Sequence, residues 1–253
     1  MCILSKPLLA CDGKEVVISG RMNYPPLSWL STSGLKGSTI AIVQSALADL
    51  GIESRTVGDI PWKRVLKNAG QGDIDIIVGV RKTQERNEYL EFIEPAITPA
   101  VQALFYHVDR EVKYERWRDL QSLTGSVVLG SSFGKDFDFF LLQNLDVERV
   151  ETMEQNFQKL IRNRVDYILG PYATTTLFLE KEGLETQIVT NRKPIVVLDE
   201  YIAVSKASPC VSVADQLSTV LNQKLDNGDL EKAMEAHFIE WFEEFGITDD
   251  MYY

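Results

Sequence analysis

The chain has 253 residues, of which 45% are hydrophobic and 25% charged, which is typical of a soluble globular protein and excludes general disorder. Its 26 basic and 37 acidic residues give a net charge of −11, which opposes binding to nucleic acid and to anionic membrane surfaces. No apolar run approaches the roughly 18 to 20 residues of a membrane-spanning helix, so the sequence predicts a soluble mature chain.

Residues 1–15 are predicted to be either the remnant of an export signal or a flexible arm. The segment before Asp12 is too short and too weakly basic for a complete secretory signal, which usually has about 15 to 30 residues. Leu8-Leu9-Ala10-Cys11 nevertheless resembles a bacterial lipoprotein processing site, at which Cys11 would be lipidated and Cys2 lost with the signal. A soluble arm with an incidental cysteine is the alternative.

Cysteine and histidine are too sparse to indicate metal or redox chemistry. The three cysteines, Cys2, Cys11 and Cys210, allow at most one disulfide and show no metal-ligand spacing. His107 and His237 are far apart in the sequence. We expect no metal site and no cofactor.

From Val16 onward, short apolar strands alternate with amphipathic helices, which predicts α/β layers around a mostly parallel sheet. The first half is predicted to contain strands over 16–18, 54–57 and 74–78, a helix over 40–50 and a helix that begins at Pro61. The segment 102–107 is predicted to be extended and to cross to a second α/β unit.

The second unit begins after a polar linker over 113–123. Its predicted elements are strands over 127–129 and 167–169 and helices after Gly134, over 153–162 and over 174–182. The extended segment 195–198 is the predicted return crossing. Two further helices, over 213–225 and 230–245, are expected to pack back on the first unit, with Gly228 as a stop and Asp229 as an N-cap between them.

The segment 71–86 predicts an anion site. The run Ile74–Val78 is typical of a strand that is covered on both faces, and Gly79 is predicted to end it. Thr83 is placed to cap a short helix, and Arg86 leaves the first turn of that helix with a planar fork of donors suited to a carboxylate. An arginine that lies in solvent or pairs with a neighbouring glutamate is the alternative.

Several motifs along the chain carry a resemblance to a known family. They are Tyr24-Pro25-Pro26-Leu27, Gly72 with Asp75, Thr83 with Arg86, the loop Gly130-Ser131-Ser132-Phe133-Gly134, and the segment from Glu200 to Lys206. In this order and spacing the chain resembles the extracellular solute-binding protein family 3, which contains the polar amino-acid receptors of bacterial ABC importers. The resemblance extends from about Val16 to Phe245.

The resemblance implies an α/β, two-lobed periplasmic-binding-protein-like fold of type II, with two hinge crossings and a ligand cleft between the lobes. The first lobe is predicted to comprise 16–103 with 200–253, and the second 108–195. The hinge crossings are predicted near 102–107 and 195–201. Two lobes joined in this way can close on a ligand as a hinged clamp.

The resemblance also implies a set of site residues. Tyr24 is expected to form an aromatic wall of the cleft, and Arg86 to bind the α-carboxylate of a ligand. The loop 130–134 lies between a strand and a helix, where backbone N–H groups and serine hydroxyls can meet an anion, although ordinary turn chemistry is the alternative. Trp29 and Trp62 are candidate cleft walls, with ordinary packing as the alternative. The predicted ligand-binding residues are Tyr24, Gly79, Arg81, Arg86, Ser131, Ser132, Tyr172 and Glu200.

The chain departs from the amino-acid receptor pattern at two places. Where such receptors commonly place an aspartate for the α-ammonium group, this chain has Gly170-Pro171-Tyr172. Five residues before Arg86, where a small polar residue is usual, stands Arg81. Both departures favour a more anionic ligand, unless Asp199 or Glu200 replaces the missing acid, or Arg81 turns outward or pairs with a carboxylate such as Glu94.

The predicted function is a monomeric receptor that captures a small carboxylate-bearing metabolite and delivers it to an ABC permease. Its expected location is periplasmic or extracytoplasmic. A variant of this prediction adds a lipid anchor at Cys11. One alternative is a sensing module for a receptor kinase or cyclase. Another is a hydro-lyase similar to cyclohexadienyl dehydratases, with Glu200 or Asp199 as general acid. We expect that the protein is not an enzyme, because the sequence offers no Ser/His/Asp or Cys/His catalytic set.

Overall fold

The computed structural model describes residues 10–246. The helices are α1 Ser38–Asp49, α2 Trp62–Gln71, α3 Gln84–Tyr89, α4 Lys135–Asn144, α5 Met153–Ile161, α6 Tyr172–Lys181, α7 Ala214–Asp226 and α8 Asp229–Phe245. The strands are β1 Val16–Ser19, β2 Asn23–Tyr24, β3 Ser28–Ser31, β4 Gly34–Lys36, β5 Ser54–Val57, β6 Ile76–Val80, β7 Leu90–His107, β8 Thr124–Val128, β9 Asp146–Val150, β10 Tyr167–Pro171 and β11 Ile188–Ser205. Short 3₁₀ helices cover Ala10–Gly13, Trp117–Leu120 and Pro209–Val213.

Two long antiparallel strands, β7 and β11, run through both halves of the molecule. The main sheet has the order β5-β1-β6-β11-β7-β10-β8-β9. Strands β1, β5 and β6 are parallel on one side of the long pair, and β8, β9 and β10 are parallel on the other. The chain therefore forms two α/β lobes that share two crossing strands, which confirms the predicted fold class.

The first lobe follows the sequence prediction closely, with one correction at Gly79. Strand β5 has the predicted bounds, and Pro61 lies directly before α2 as its N-cap. Strand β6 is buried throughout, as expected of a strand covered on both faces. It does not end at Gly79 but continues to Val80. Gly79 has a positive φ of 62°, which a glycine can adopt within the strand without steric strain.

Two pieces of sheet have no counterpart among the predicted strands. One is the small sheet of β2, β3 and β4, which adds a short antiparallel meander after β1. The other is the edge strand β9, whose residues are mostly exposed. Neither segment has the buried apolar run or the regular alternation from which strands are predicted.

The last two helices only partly follow the prediction that they pack on the first lobe. Both contact α1. However, Trp241 and Phe242 near the end of α8 belong to the core cluster of the second lobe, where the Trp241 ring lies 6.0 Å from that of Phe178. The N-cap of α8 is Gly228 and not Asp229, which is the first helical residue. Helix α8 therefore spans both lobes.

A disulfide joins Cys11 to Cys210 across 199 residues of sequence. Both cysteines are buried in the core of the first lobe. The bridge attaches the N-terminal 3₁₀ helix to the one that follows β11, so it closes a loop around almost the whole chain.

The disulfide contradicts lipidation at Cys11, because one sulfur cannot form both bonds. Cys2 and the other residues before Ala10, which belong to the predicted signal remnant or arm, lie outside the described residues. Within residues 10–246, no helix combines the length and the apolar character that are needed to span a bilayer.

Candidate functional site

A cavity of about 60 Å³ lies between the two lobes. From the first lobe it is lined by residues that follow β1 and by the start of α2, and from the second lobe by the end of β8, the loop after it and the end of β10. Arg21, Tyr24, Trp62 and Arg81 line it on one side, and Ser131 and Thr174 on the other. The cavity is the candidate binding site, because ligands of two-lobed α/β proteins bind between the lobes.

Arg81 faces inward and forms a buried ion pair with Glu200. Its Nε donates to Glu200 Oε1 at 2.9 Å, and the Tyr24 hydroxyl donates to the same oxygen at 2.8 Å. The exposed fractions of Arg81 and Glu200 are 3% and 0%. Burial acts to lower the pKa of Arg81, but the nearby Glu200 and Tyr24 outweigh it and raise that pKa. Arg81 neither turns outward nor pairs with Glu94, which binds Lys82 instead.

The Arg81 guanidinium also connects the lobes. Its Nη1 donates to the Ser132 carbonyl oxygen in the loop of the second lobe. Its Nη2 is buried and has no hydrogen-bond partner among the described residues. One donor of Arg81 therefore remains for a ligand in the cavity.

Arg21 is a site residue that the sequence analysis missed. Its guanidinium carbon lies 4.3 Å from the ring centroid of Trp62 and 5.3 Å from that of Tyr24. Its Nε and Nη2 are buried and have no hydrogen-bond partner within residues 10–246. Burial, reinforced by the positive charge of Arg81, lowers the pKa of Arg21 to about 10, so it stays a cation at neutral pH.

A positional signal for Arg21 exists in the sequence. It follows strand β1 by two residues, and in open α/β sheets ligands bind at the carboxyl ends of the parallel strands. A cation directly after the first predicted strand is therefore a candidate ligand-binding group, although neither periodicity nor a motif marks it.

Arg86 lies beside the cavity rather than in its lining. The capping contact predicted for Thr83 is present, since its hydroxyl accepts from the Arg86 N–H at 3.1 Å. Arg86 Nη1 donates to the Arg81 carbonyl at 2.9 Å, and Nη2 donates to the Gly130 carbonyl in the other lobe at 2.8 Å. The side chain borders an outer groove between α2 and α4. In this arrangement Arg86 ties the two lobes together.

The serine loop of the second lobe is held by an internal carboxylate. Asp138 in the first turn of α4 accepts from the Ser132 hydroxyl, and it accepts from the Phe133 N–H at 2.7 Å. These groups therefore already have an anion at the positive end of the helix. Ser131 borders both the cavity and the outer groove. The structure thus leaves Ser131, rather than Ser132, with access to a ligand.

The aromatic candidates divide between wall and core. Tyr24 and Trp62 line the cavity. Trp29 is 1% exposed within the core cluster of the second lobe, and its Nε1 donates to Glu244 at 3.2 Å. Tyr172 packs against the same core and stacks on Phe105 with centroids 6.4 Å apart.

Gly79 supports the wall residue Tyr24 from below. A Cβ at this glycine would lie 3.3 Å from the Tyr24 ring, which is a tight contact, and its φ of 62° is also unfavourable for other residues. Gly79 therefore positions the ring rather than lining the cavity.

The two acids considered as substitutes at the cleft lie in different environments. Asp199 is exposed on β11. Glu200 is buried behind Arg81 and does not line the cavity, whose one carboxylate within the described residues is the exposed Glu151. The cavity lining therefore contains two cations, of which Arg81 is paired with Glu200 and Arg21 is not in an ion pair within the described residues.

Comparison with known proteins agrees with the observed fold. The profile of the bacterial extracellular solute-binding proteins, family 3, matches residues 16–243. No curated protein sequence matches the chain.

Similar solved structures share the whole fold at low sequence identity. A mutant of ArgBP from T. maritima has a TM-score of 0.76 at 21% identity, over 90% of this chain and 96% of that one. AbpA from Streptococcus pneumoniae, an amino acid ABC transporter substrate-binding protein bound to L-arginine, has a TM-score of 0.73 at 19% identity, over 90% and 95%. A histidine kinase sensor domain with similarity to periplasmic binding proteins has a TM-score of 0.75 at 17% identity, over 89% and 96%. The two-lobed fold of type II and the match over 16–243 show that the chain belongs to the bacterial extracellular solute-binding proteins of family 3.

Proposed function

We propose that the protein is a receptor that binds a small anionic metabolite, with at least one and preferably two acid groups, between its lobes. The observation that carries this proposal is the cation Arg21, which lines the cavity with two buried donors that lack a partner among the described residues. A buried unpaired guanidinium destabilises a fold, so its presence in a binding protein is best explained by an anionic ligand.

The ligand is held by two cations in this proposal. Arg21 and Arg81 both line the cavity and both have a donor without a partner in residues 10–246. A carboxylate accepts such donors in strong, charge-assisted hydrogen bonds. Arg86 remains the predicted α-carboxylate ligand, and it would take this role by exchanging its contact with the Gly130 carbonyl for one with the ligand.

Charge also sets what the site rejects. The bound ligand of AbpA is L-arginine, whose side chain is a cation. In this chain Arg21 would repel a cationic side chain inside the cavity, where water screens charge poorly. We therefore propose acidic amino acids or other dicarboxylates as ligands, and not arginine.

Delivery to an ABC permease and an extracytoplasmic location complete the proposal. The family supports both, and AbpA is an example of a family-like fold that serves a transporter. The Cys11–Cys210 disulfide supports an oxidising compartment, because disulfides persist there and are rare in the cytosol. We propose a monomer with lobes over 16–103 with 200–253 and over 108–195, and hinges near 102–107 and 195–201.

A thermal-shift screen of refolded, ligand-stripped protein tests the proposal. Its panel contains L-aspartate, L-glutamate, succinate, aromatic acids, small peptides and L-arginine. A ligand at ~100 times its Kd adds about 2.7 kcal/mol of stability, which raises Tm by several degrees. Only the dicarboxylates should raise Tm. A shift with L-arginine and none with dicarboxylates would contradict the proposed charge preference.

An Arg21→Met variant then tests the residue. Its affinity for dicarboxylates, measured by calorimetry, should fall by at least about thirtyfold, because a buried charged partner is lost. Arg64→Met is the matched control, since Arg64 is exposed on α2 and borders only the outer groove. Equal losses in the two variants would remove Arg21 from the site.

A sensing role is the second candidate, and the similarity to a histidine kinase sensor domain favours it. The same cavity would then report ligand to a kinase or cyclase rather than a permease. Binding assays of the protein with a purified permease and with a purified kinase, each with and without ligand, distinguish import from sensing. A ligand-dependent complex with a permease supports import, and one with a kinase supports sensing.

A hydro-lyase role is disfavoured by the placement of its general acid. Glu200 is engaged by Arg81 and Tyr24 and lies behind the cavity lining, and Asp199 is exposed. Neither carboxylate lines the cavity in which a substrate would bind. Turnover of prephenate or arogenate that disappears in Glu200→Gln would overturn this argument.

A further inference from the structure

Gln102 occupies the point where the crossing strands meet. It lies on β7, paired with Pro171 of β10 on one side and with Val196 of β11 on the other. Its side chain is 0% exposed, yet Gln102 is among the residues that line the interlobe cavity. Neither motif nor resemblance pointed to this residue.

The amide of Gln102 is only half satisfied. Its Nε2 donates to the Ala100 carbonyl at 3.3 Å, and this bond fixes the assigned orientation of the amide. Its Oε1 is buried and has no hydrogen-bond partner among the described residues. Buried carbonyl oxygens almost always accept a hydrogen bond, so this one calls for a donor that the described part of the chain does not supply.

Gln102 lies on the strand next to the position at which the chain lacks the expected acid. Amino-acid receptors of the resembling pattern carry an aspartate for the ligand ammonium near Pro171, and Pro171 is the residue directly opposite Gln102 in the sheet. The two proposed substitutes do not serve, since Asp199 is exposed and Glu200 pairs with Arg81. Glu151 is exposed at the cavity rim.

We infer that Gln102 Oε1 accepts a hydrogen bond from the donor group on the α-carbon of the ligand, in place of the missing aspartate. This inference rests on the proposed function and names a specificity-determining residue for it. An aspartate favours an ammonium partner because of its charge, whereas a neutral amide oxygen accepts from an ammonium or a hydroxyl with less discrimination. The ligand class therefore extends from α-amino to α-hydroxy dicarboxylates, and both bind in preference to dicarboxylates without such a donor.

Three ligands of one carbon skeleton test the inference. L-Aspartate carries an ammonium group, L-malate a hydroxyl, and succinate neither. In calorimetry on the unaltered protein, aspartate and malate should each bind at least about tenfold more tightly than succinate, since one hydrogen bond is worth about that factor.

Gln102→Met removes the acceptor and roughly keeps the side-chain volume. The affinities of this variant for aspartate and malate should fall to its affinity for succinate. Its affinity for succinate should differ from that of the unaltered protein by less than about threefold. Gln143→Met is the matched control, because Gln143 is exposed on α4. It should leave all three affinities unchanged.

Gln102→Glu provides a second variant that keeps a polar acceptor at the buried site. It should raise the preference for aspartate over malate by about tenfold or more, because a carboxylate favours the ammonium group. An unchanged ratio in this variant would overturn the inference even if Gln102→Met did not fold.

The outcomes separate this inference from the proposed function. If Gln102→Met loses affinity for all three ligands equally, Gln102 serves only in packing, and the inference is overturned. Ligands that depend on Arg21 but not on Gln102 would leave the proposed function intact and remove only the role of Gln102. Absence of binding by every dicarboxylate would overturn both.

Discussion

Arg81 and Glu200 form an ion pair that is almost fully removed from water, with Nε and Oε1 2.9 Å apart. Arg81 directly follows β6 and Glu200 lies on β11, so the pair joins the end of a parallel strand to a crossing strand. Because Arg81 also binds the Ser132 carbonyl of the other lobe, the pair holds that cation in position between the lobes.

We expect Glu200→Gln to destabilise the protein by about 3–5 kcal/mol, because it leaves Arg81 as a buried cation without its counter-charge. Urea unfolding measures this change. The free Arg81 should then bind anions more strongly, so a dicarboxylate should raise Tm more in Glu200→Gln than in the unaltered protein. Asp199→Asn, next to it but exposed, should change neither quantity.

Arg86→Met removes the hydrogen bond that ties the lobes, to the Gly130 carbonyl, and a second one within the first lobe, to the Arg81 carbonyl. We expect ligand affinity to fall by about one to three powers of ten, since the closed form loses a charged donor. Calorimetry measures the affinity, and small-angle scattering should show a more open ligand-bound protein. An unaltered affinity would exclude Arg86 both as a ligand contact and as a lobe contact.

Arg21→Met should stabilise the ligand-free protein while it weakens dicarboxylate binding. Burial lowers the pKa of Arg21 from its ordinary value to about 10, so the folded state disfavours the charged form. That penalty is fully present below about pH 10 and disappears as pH rises from there toward the ordinary pKa of arginine. At pH 7 the variant should therefore gain about 1–3 kcal/mol in urea unfolding. A loss of stability would mean that Arg21 packs more favourably than its charge costs.

The same pKa fixes the pH range of binding. Arg21 stays protonated below about pH 10, so dicarboxylate affinity should be constant between about pH 6 and 9 and should fall once pH exceeds about 10. Calorimetry at constant ionic strength measures this profile. A decline already near pH 8 would assign the binding charge to another group.

Reduction of the Cys11–Cys210 disulfide should lower the free energy of unfolding by about 2–5 kcal/mol, since the bridge closes a loop of 199 residues. Urea unfolding with and without reductant measures the loss. The double variant Cys11→Ser with Cys210→Ser should reproduce it without reductant, and Cys2→Ser should not. An unaltered midpoint would mean that the bridge does not form.

Much of the fold was predictable because local signals and tertiary structure agree. The apolar run before Gly79 predicts a doubly covered strand, and Thr83 predicts a cap, and both are present. Strand β9 was not predictable, because an exposed edge strand needs no apolar pattern. The positive φ that carries β6 through Gly79 is likewise a property of the folded backbone.

The site was less predictable than the fold. The sequence indicates that Arg81 and Glu200 are candidate site residues. It does not indicate that they form an ion pair, since 119 residues separate them. Arg21 and Gln102 can be recognised as site residues only in the folded protein, where they line the cavity between the lobes. Gln102 does leave a trace, as a single polar residue inside the apolar run from Val101 to Phe105.

The passage of α8 across both lobes has a consequence for how the protein unfolds. Trp241 and Phe242 share one core cluster with Trp29 of the first lobe and Phe178 of the second, so unfolding of either lobe exposes part of a core that the other lobe also uses. We expect calorimetry to show a single cooperative transition, with tryptophan fluorescence changing at the same temperature. Phe242→Ala, which weakens this shared cluster, should separate that transition into two.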